Sequence, residues 1–208
     1  MAKLGFEYVV AAIFDEEKKQ YSGGKYMGES ATFNVTVTAN DVKDYGDNRA
    51  VLTDTSVTGG TVSIELLDMA EELGSFLLGH EYDAETQKMV CKKDDIAPYV
   101  GLGAVGISKK AGFRYVAKLY KKVQFKEPND ENATQTDTVT PGHTTIEGNM
   151  FVPEDGIWKE QQTFDTLQEA KEWLNGQLGI KTEGSGGTEG TEETGGSEES
   201  ETGEQVTA

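Results

Sequence analysis

Cysteine occurs once in this 208-residue chain, at Cys91. No disulfide can form within the chain, and nothing points to a disulfide-stapled secreted fold. With no Cys or His cluster nearby in sequence, Cys91 reads as a small core residue. Histidine occurs twice, as His80 and His143, and neither has the spacing to another His or Cys that a zinc site uses. His80 follows a glycine that ends a helix, where a partly exposed histidine is ordinary. Basic residues are scarce. The 19 Lys and Arg face 37 Asp and Glu, for a net charge of −18 and a pI of about 4.4. A sequence-independent nucleic-acid binder needs clustered cations to displace counterions from phosphates, so that class is excluded. A surface this acidic repels DNA.

Long apolar runs are missing too. The N-terminus, "MAKLGFEYVVAAIFDEEKK", has one basic residue before an apolar stretch broken by Gly5, Glu7 and Tyr8. That is a poor signal peptide and too short to span a membrane, so the expectation is a chain made and kept in the cytoplasm. Catalytic motifs are equally scarce: there is no G-x-S-x-G elbow and no H-E-x-x-H. The acidic stretches "NDEN" (129–132) and "KKDDI" (92–96) lack the alternating ligand positions and turn glycine of a calcium loop. The expectation is a protein without enzymatic activity, cofactor or metal.

One motif invites the opposite reading. "GLGAVG" (101–106) matches G-x-G-x-x-G, and Glu127 lies at about the distance where a dinucleotide fold places its ribose-binding carboxylate. That fingerprint needs a buried strand running into the glycines and a helix starting on them. Upstream, "CKKDDIAPYV" is charged and broken by Pro98. Downstream, from Phe113, apolar residues recur at every second position, which is a strand period. The stretch reads as a glycine-rich strand and turn.

What is present is mostly strand signal. In "ATFNVTVT" (31–38), Phe33, Val35 and Val37 alternate with Thr32, Asn34, Thr36 and Thr38. In "TVSIEL" (61–66), Val62, Ile64 and Leu66 alternate with Thr61, Ser63 and Glu65. Period two with β-branched residues predicts half-buried antiparallel strands. Further strands are predicted in 6–14, 49–53, 88–92, 113–125 and 134–152. Residues 40–60 are polar and charged and read as an excursion from the sheet.

Two amphipathic helices interrupt the strands. In "LDMAEELGSFLLGH", Asp68 is placed to cap and Glu71 to reach back, with Met69, Leu73, Phe76 and Leu77 on one stripe and Gly79 at the stop. In "DTLQEAKEWLNGQLG", Thr166 and Glu169 form the start, Leu167, Ala170, Leu174 and Leu178 the stripe, and Gly179 the end. Many strands with two short helices predict a mainly β fold, a β-sandwich or partial barrel.

After Ile180 the composition changes. Residues 181–208 are Gly, Ser, Thr and Glu with almost nothing apolar, and eight glutamates face only Lys181. Such a segment cannot bury enough surface to offset its ordering entropy and reads as a flexible acidic tail. It carries seven of the eighteen net negative charges, leaving −11 on residues 1–180. The expected domain is therefore 1–180, with 181–208 outside it.

The stretch from Leu77 to Pro128 resembles the major tail proteins of long-tailed phages of Gram-positive bacteria, the φ13-type family. The matching features come in order: a helix ending Leu77-Leu78-Gly79-His80, a variable hairpin, then Asp95-Ile96-Ala97-Pro98-Tyr99-Val100-Gly101. A basic turn follows, then Phe113-Arg114-Tyr115-Val116 and Leu119-Tyr120-Lys121, leading to Phe125 and Glu127-Pro128. "TTIEG" (144–148) and "EDGIWK" (154–159) also fit. The resemblance implies a tail-tube-like fold: a β-sandwich with a flanking helix, assembled into stacked hexameric rings through which genomic DNA is ejected. It implies a virion protein assembled in the host cytoplasm, with tape-measure, tail-terminator and distal tail or baseplate proteins as partners and no membrane. The acidic tail lies outside the family's pattern.

A conduit for a polyanion should not hold it, so polar and acidic residues suit the bore. Thr36, Thr61, Ser63 and Glu65 are the candidates to face the lumen. Asp41, Lys43, Asp44, Tyr45 and Asp54, in the polar excursion, are candidates for contacts between subunits or rings. The alternative is a β-sandwich module of a virion or cell surface that binds carbohydrate. It would need exposed aromatics in a shallow groove, and the only tryptophans are Trp158 and Trp173, the latter on a helix as packing.

Overall fold

The computed structural model describes residues 2–46, 49–109, 112–129 and 143–180, and the side chains of all of these except 2–4, 42–46 and 49–53. The acidic tail and the first part of the predicted strand 134–152 lie outside the described residues.

The fold is mainly antiparallel β with two short helices, as the alternating sequence predicts. Strands β1 (Ala2–Asp15), β2 (Gln20–Tyr26), β3 (Ser30–Ala39), β6 (Val57–Leu66), β9 (Val100–Lys109), β10 (Phe113–Phe125), β11 (Thr144–Phe151) and β12 (Lys159–Phe164) form one sheet. Its order is β2-β1-β9-β10-β11-β6-β3, with β12 also paired to β10. Two small hairpins stand apart: β4 (Val42–Gly46) with β5 (Arg49–Asp54), and β7 (Glu81–Asp83) with β8 (Lys88–Val90).

The sheet folds on itself at β10. Residues 115–120 of that strand pair with β12, whereas 123–125 pair with β11. Between these segments the register with β9 shifts, from Tyr120↔Leu102 to Val123↔Val100. An irregularity of this kind lets a strand turn a corner from one layer into another. One layer is thus β2-β1-β9-β10-β12, and the other is β11-β6-β3. Val9, Leu102, Ala104 and Tyr120 of the first meet Val62, Ile64, Ile146 and Met150 of the second in a buried core. Phe33 bridges the two layers, 6.0 Å from the Phe6 ring and 6.1 Å from Tyr120.

The helices close the remaining apolar surfaces. Helix α1 (Glu71–Leu78) brings Leu73 and Leu77 to the inter-layer core and ends at Gly79 in the left-handed conformation. Its start differs from the capping-box expectation. Ala70 is the N-cap and no side chain caps the helix, so Asp68 and Glu71 do not form the box. Helix α2 (Leu167–Gln177) covers the opposite face of the first layer, where Ala170, Leu174 and Leu178 pack on Val10, Val105, Ala117 and Leu119. Here the box is present: Thr166 Oγ1 accepts from the Glu169 amide and Glu169 accepts from the Thr166 amide, both at 3.3 Å. Thr166→Ala should cost about 1 kcal/mol in a urea titration, and Thr166→Ser should retain most of it.

The G-x-G-x-x-G stretch lies within β9, with no helix following it, as its strand-like flanks predict. Leu102 and Ala104 face the inter-layer core, while Gly101 and Gly103 face α2. A Cβ on Gly103 would sit 3.0 Å from Leu174 and Val10, and one on Gly101 would sit 2.4 Å from the Tyr21 ring. These glycines are the floor on which α2 rests, not a phosphate cradle.

Candidate functional site

The second layer buries one face and exposes the other. Its registers align the outward residues in three rows across β11, β6 and β3: Thr145–Glu65–Thr32, Glu147–Ser63–Asn34 and Asn149–Thr61–Thr36. The alternation of the strands dictates this. Ile146, Ile64 and Phe33 share the row that points into the core, so the flanking positions must point out. The four residues expected at a lumen, Thr36, Thr61, Ser63 and Glu65, are thereby brought onto one face of adjacent strands. Thr36 and Thr61 are exposed, and Ser63 and Glu65 are half-buried.

The chemistry of that face is uniform. Hydroxyls and amides make up most of it, two carboxylates supply charge, and no Lys or Arg is in any of the rows. His143 Nδ1 lies 2.8 Å from Glu65 Oε1 at its margin. The sequence pattern identified the β3 and β6 residues. It did not identify Thr145, Glu147 and Asn149, because neighbouring strands are set by tertiary pairing; the signal that could have found them is the alternation in "TTIEGNMF" itself.

The face ends at an open edge. Strand β3 pairs with β6 on one side, and among the described residues no strand pairs with its other side. Val37, expected inward, is 43% exposed and opposes Gly60 near this open end, where the facing residue has no side chain to cover it. A ten-residue unpaired edge is a template for another strand.

The polar excursion is shorter than 40–60, since Val57–Gly60 belong to β6. The remainder is the β4–β5 hairpin, pinned at its base. The Asn40 amide donates to Ser56 O at 2.8 Å, Asn40 Nδ2 donates to Asp54 Oδ2 at 3.2 Å, and the Ser56 amide donates to Asp54 Oδ1 at 2.9 Å. The Ser56 amide, with Asn40, holds the Asp54 carboxyl below its usual range. Asp54 is therefore a structural clamp at the hairpin base. Asp41 is exposed beside it, and Lys43, Asp44 and Tyr45 lie along β4.

One single-residue expectation is corrected. Cys91 is exposed rather than in the core, because it lies just past β8, beyond the last residue that hairpin covers. His80 is partly exposed, as expected, but its ring is held at both nitrogens: Nδ1 is 2.9 Å from Asp95 Oδ2 and Nε2 is 2.8 Å from Glu127 Oε2. The hydrogen bond to Asp95, with Glu127 on the other side, raises the His80 pKa above its ordinary value. Glu127, the carboxylate that a dinucleotide reading would place on a ribose, is a partner of this histidine instead.

The tryptophans form no exposed platform. Trp173, on α2, is half-buried 6.1 Å from Phe164, and Trp158 packs against the inter-layer core with Lys159 Nζ over its ring. No family model matches this chain, and no curated protein matches it significantly.

Proposed function

We propose that this chain is a structural subunit of a phage tail tube. Copies close into stacked hexameric rings, and the outer face of β11, β6 and β3 lines a bore through which DNA slides. The protein acts as a wall and does no chemistry on the DNA. Tape-measure, terminator and distal tail proteins would be its partners in a virion.

The observation that carries this reading is the polar, cation-free sheet face that runs to the unpaired edge of β3. Joining that edge to another copy removes a strand edge and extends the same face around a ring. Lys or Arg on such a face would make phosphate contacts and retard the DNA; Glu65 and Glu147 repel it, with a reach of about 8–10 Å at physiological salt. The resemblance over 77–128 points the same way. The half-buried tryptophans do not favour the carbohydrate-binding alternative.

Electron microscopy of the purified full chain tests the reading. Rings or tubes support it, and a monodisperse monomer at high concentration contradicts it. The β4–β5 hairpin stands off the main sheet, so in this reading it contacts a neighbouring subunit or ring. Amides of 42–54 should exchange quickly in the free subunit and slowly in the assembly. Equal protection in both states would rule out that contact.

A further inference from the structure

The segment after α1, the loop after β8 and the segment after β10 bring three different ligand types together. His80 Nε2, Cys91 Sγ and a Glu127 carboxylate oxygen all lie within 4.8 Å of one another. A tetrahedral zinc site holds its donors about 3.4–3.8 Å apart, so shifts of about an ångström, to which the 60% exposed Glu127 side chain can contribute, separate a bound set from this one.

The support behind these donors is already built. Asp95 Oδ2 faces His80 Nδ1 and also accepts the Lys92 amide at 2.8 Å, which fixes the carboxylate. Gln124 Nε2 donates to Ala97 O at 2.8 Å and ties the same loop to β10. At Gly79 the loop approaches so closely that a Cβ would sit 2.5 Å from Ile96 O. A carboxylate on the far nitrogen of a ligating histidine fixes its tautomer and raises its basicity.

With Nδ1–H donated to Asp95, a neutral imidazole directs the Nε2 lone pair at the Glu127 oxygen 2.8 Å away. An ion held by both would take the place of the proton that this short contact otherwise shares, with the two donors moving apart to about 3.4 Å. A thiophilic divalent ion uses all three.

We propose that His80 Nε2, Cys91 Sγ and Glu127 bind a divalent cation of the zinc class, with Asp95 orienting His80 and the fourth position open to water or a neighbouring subunit. A bound cation favours the thiolate over the thiol. Binding displaces the thiol proton to solvent as the Sγ–metal bond forms.

The test is titration of the metal-stripped full chain with Co2+ alone, followed by Zn2+ alone. The expected result is one equivalent of Co2+ bound, a thiolate-to-cobalt charge-transfer band, and loss of that band as Zn2+ displaces the cobalt. Cys91→Ser, an exposed position where folding should be unaffected, should abolish the band. Asp95→Asn should keep the band and weaken binding by about 10–100-fold. Absence of the band in the wild-type chain, or Zn2+ affinity unchanged in Cys91→Ser with the fold intact by circular dichroism, overturns the site.

Discussion

If the outer face of β11, β6 and β3 lines a tail tube, as proposed, phage particles carrying Glu65→Lys together with Thr36→Lys should assemble normally and eject DNA slowly at low salt. Both residues point away from the core on β6 and β3, so the exchange leaves the inter-layer packing alone. It replaces a repelling carboxylate with a cation and adds a second cation two rows away on the same face. Each lysine offers a phosphate contact, and the contacts repeat around every ring. Phosphate contacts weaken steeply with ionic strength, so the defect should shrink as salt is added. Ejection half-times at least about tenfold longer at low salt, approaching the wild-type value at high salt, are expected from that dependence. Glu65→Gln with Thr36→Gln is the control, since it removes the acid without adding a cation. Wild-type kinetics from intact tubes carrying both lysines would mean that this face does not meet the DNA.

The second large effect concerns what holds that face flat. Gly60 opposes Val37 on β3 and Met150 on β11. A Cβ there would sit 2.4 Å from the Thr36 carbonyl oxygen and 2.9 Å from the Met150 methyl. The methyl can swing aside. The carbonyl is backbone within the ladder and cannot, so β3 must move away from β6. Gly60→Ala should therefore cost about 1–3 kcal/mol, the usual range for overpacking, and speed exchange in β3. Gly176→Ala should have the opposite sign. That glycine lies near the end of α2, where an added methyl would meet no atom within 4 Å, so alanine adds helix propensity without a clash, about 0.5–1 kcal/mol of stabilisation. Urea unfolding of the two variants checks both signs. Equal stability of Gly60→Ala and wild type would mean that β3 is held less tightly than the pairing implies.

The sequence was readable wherever the signal is local. Alternation in 31–38 and 61–66 placed Thr36, Thr61, Ser63 and Glu65 outward, and the pairing of β3 with β6 puts them side by side. The Thr166–Glu169 box was readable because its partners are three residues apart. The same logic misled at Asp68: the composition suits a cap, but the chain begins the helix after Ala70, where no side chain caps the free amides. Non-local features were not readable. That β10 serves both layers depends on a register shift after Tyr120, which no periodicity records. His80, Cys91, Asp95 and Glu127 meet only because the fold returns the end of β10 to the C-terminus of α1, so the neighbours of the histidine do not follow from spacing.

A helical reconstruction of tubes assembled from the purified chain tests the central claim most directly. The account predicts closed rings in which Thr36, Thr61, Ser63 and Glu65 line the bore and the edge of β3 pairs with a strand of the adjacent subunit. Tubes with that face turned outward, or rings that close without using the β3 edge, would contradict it.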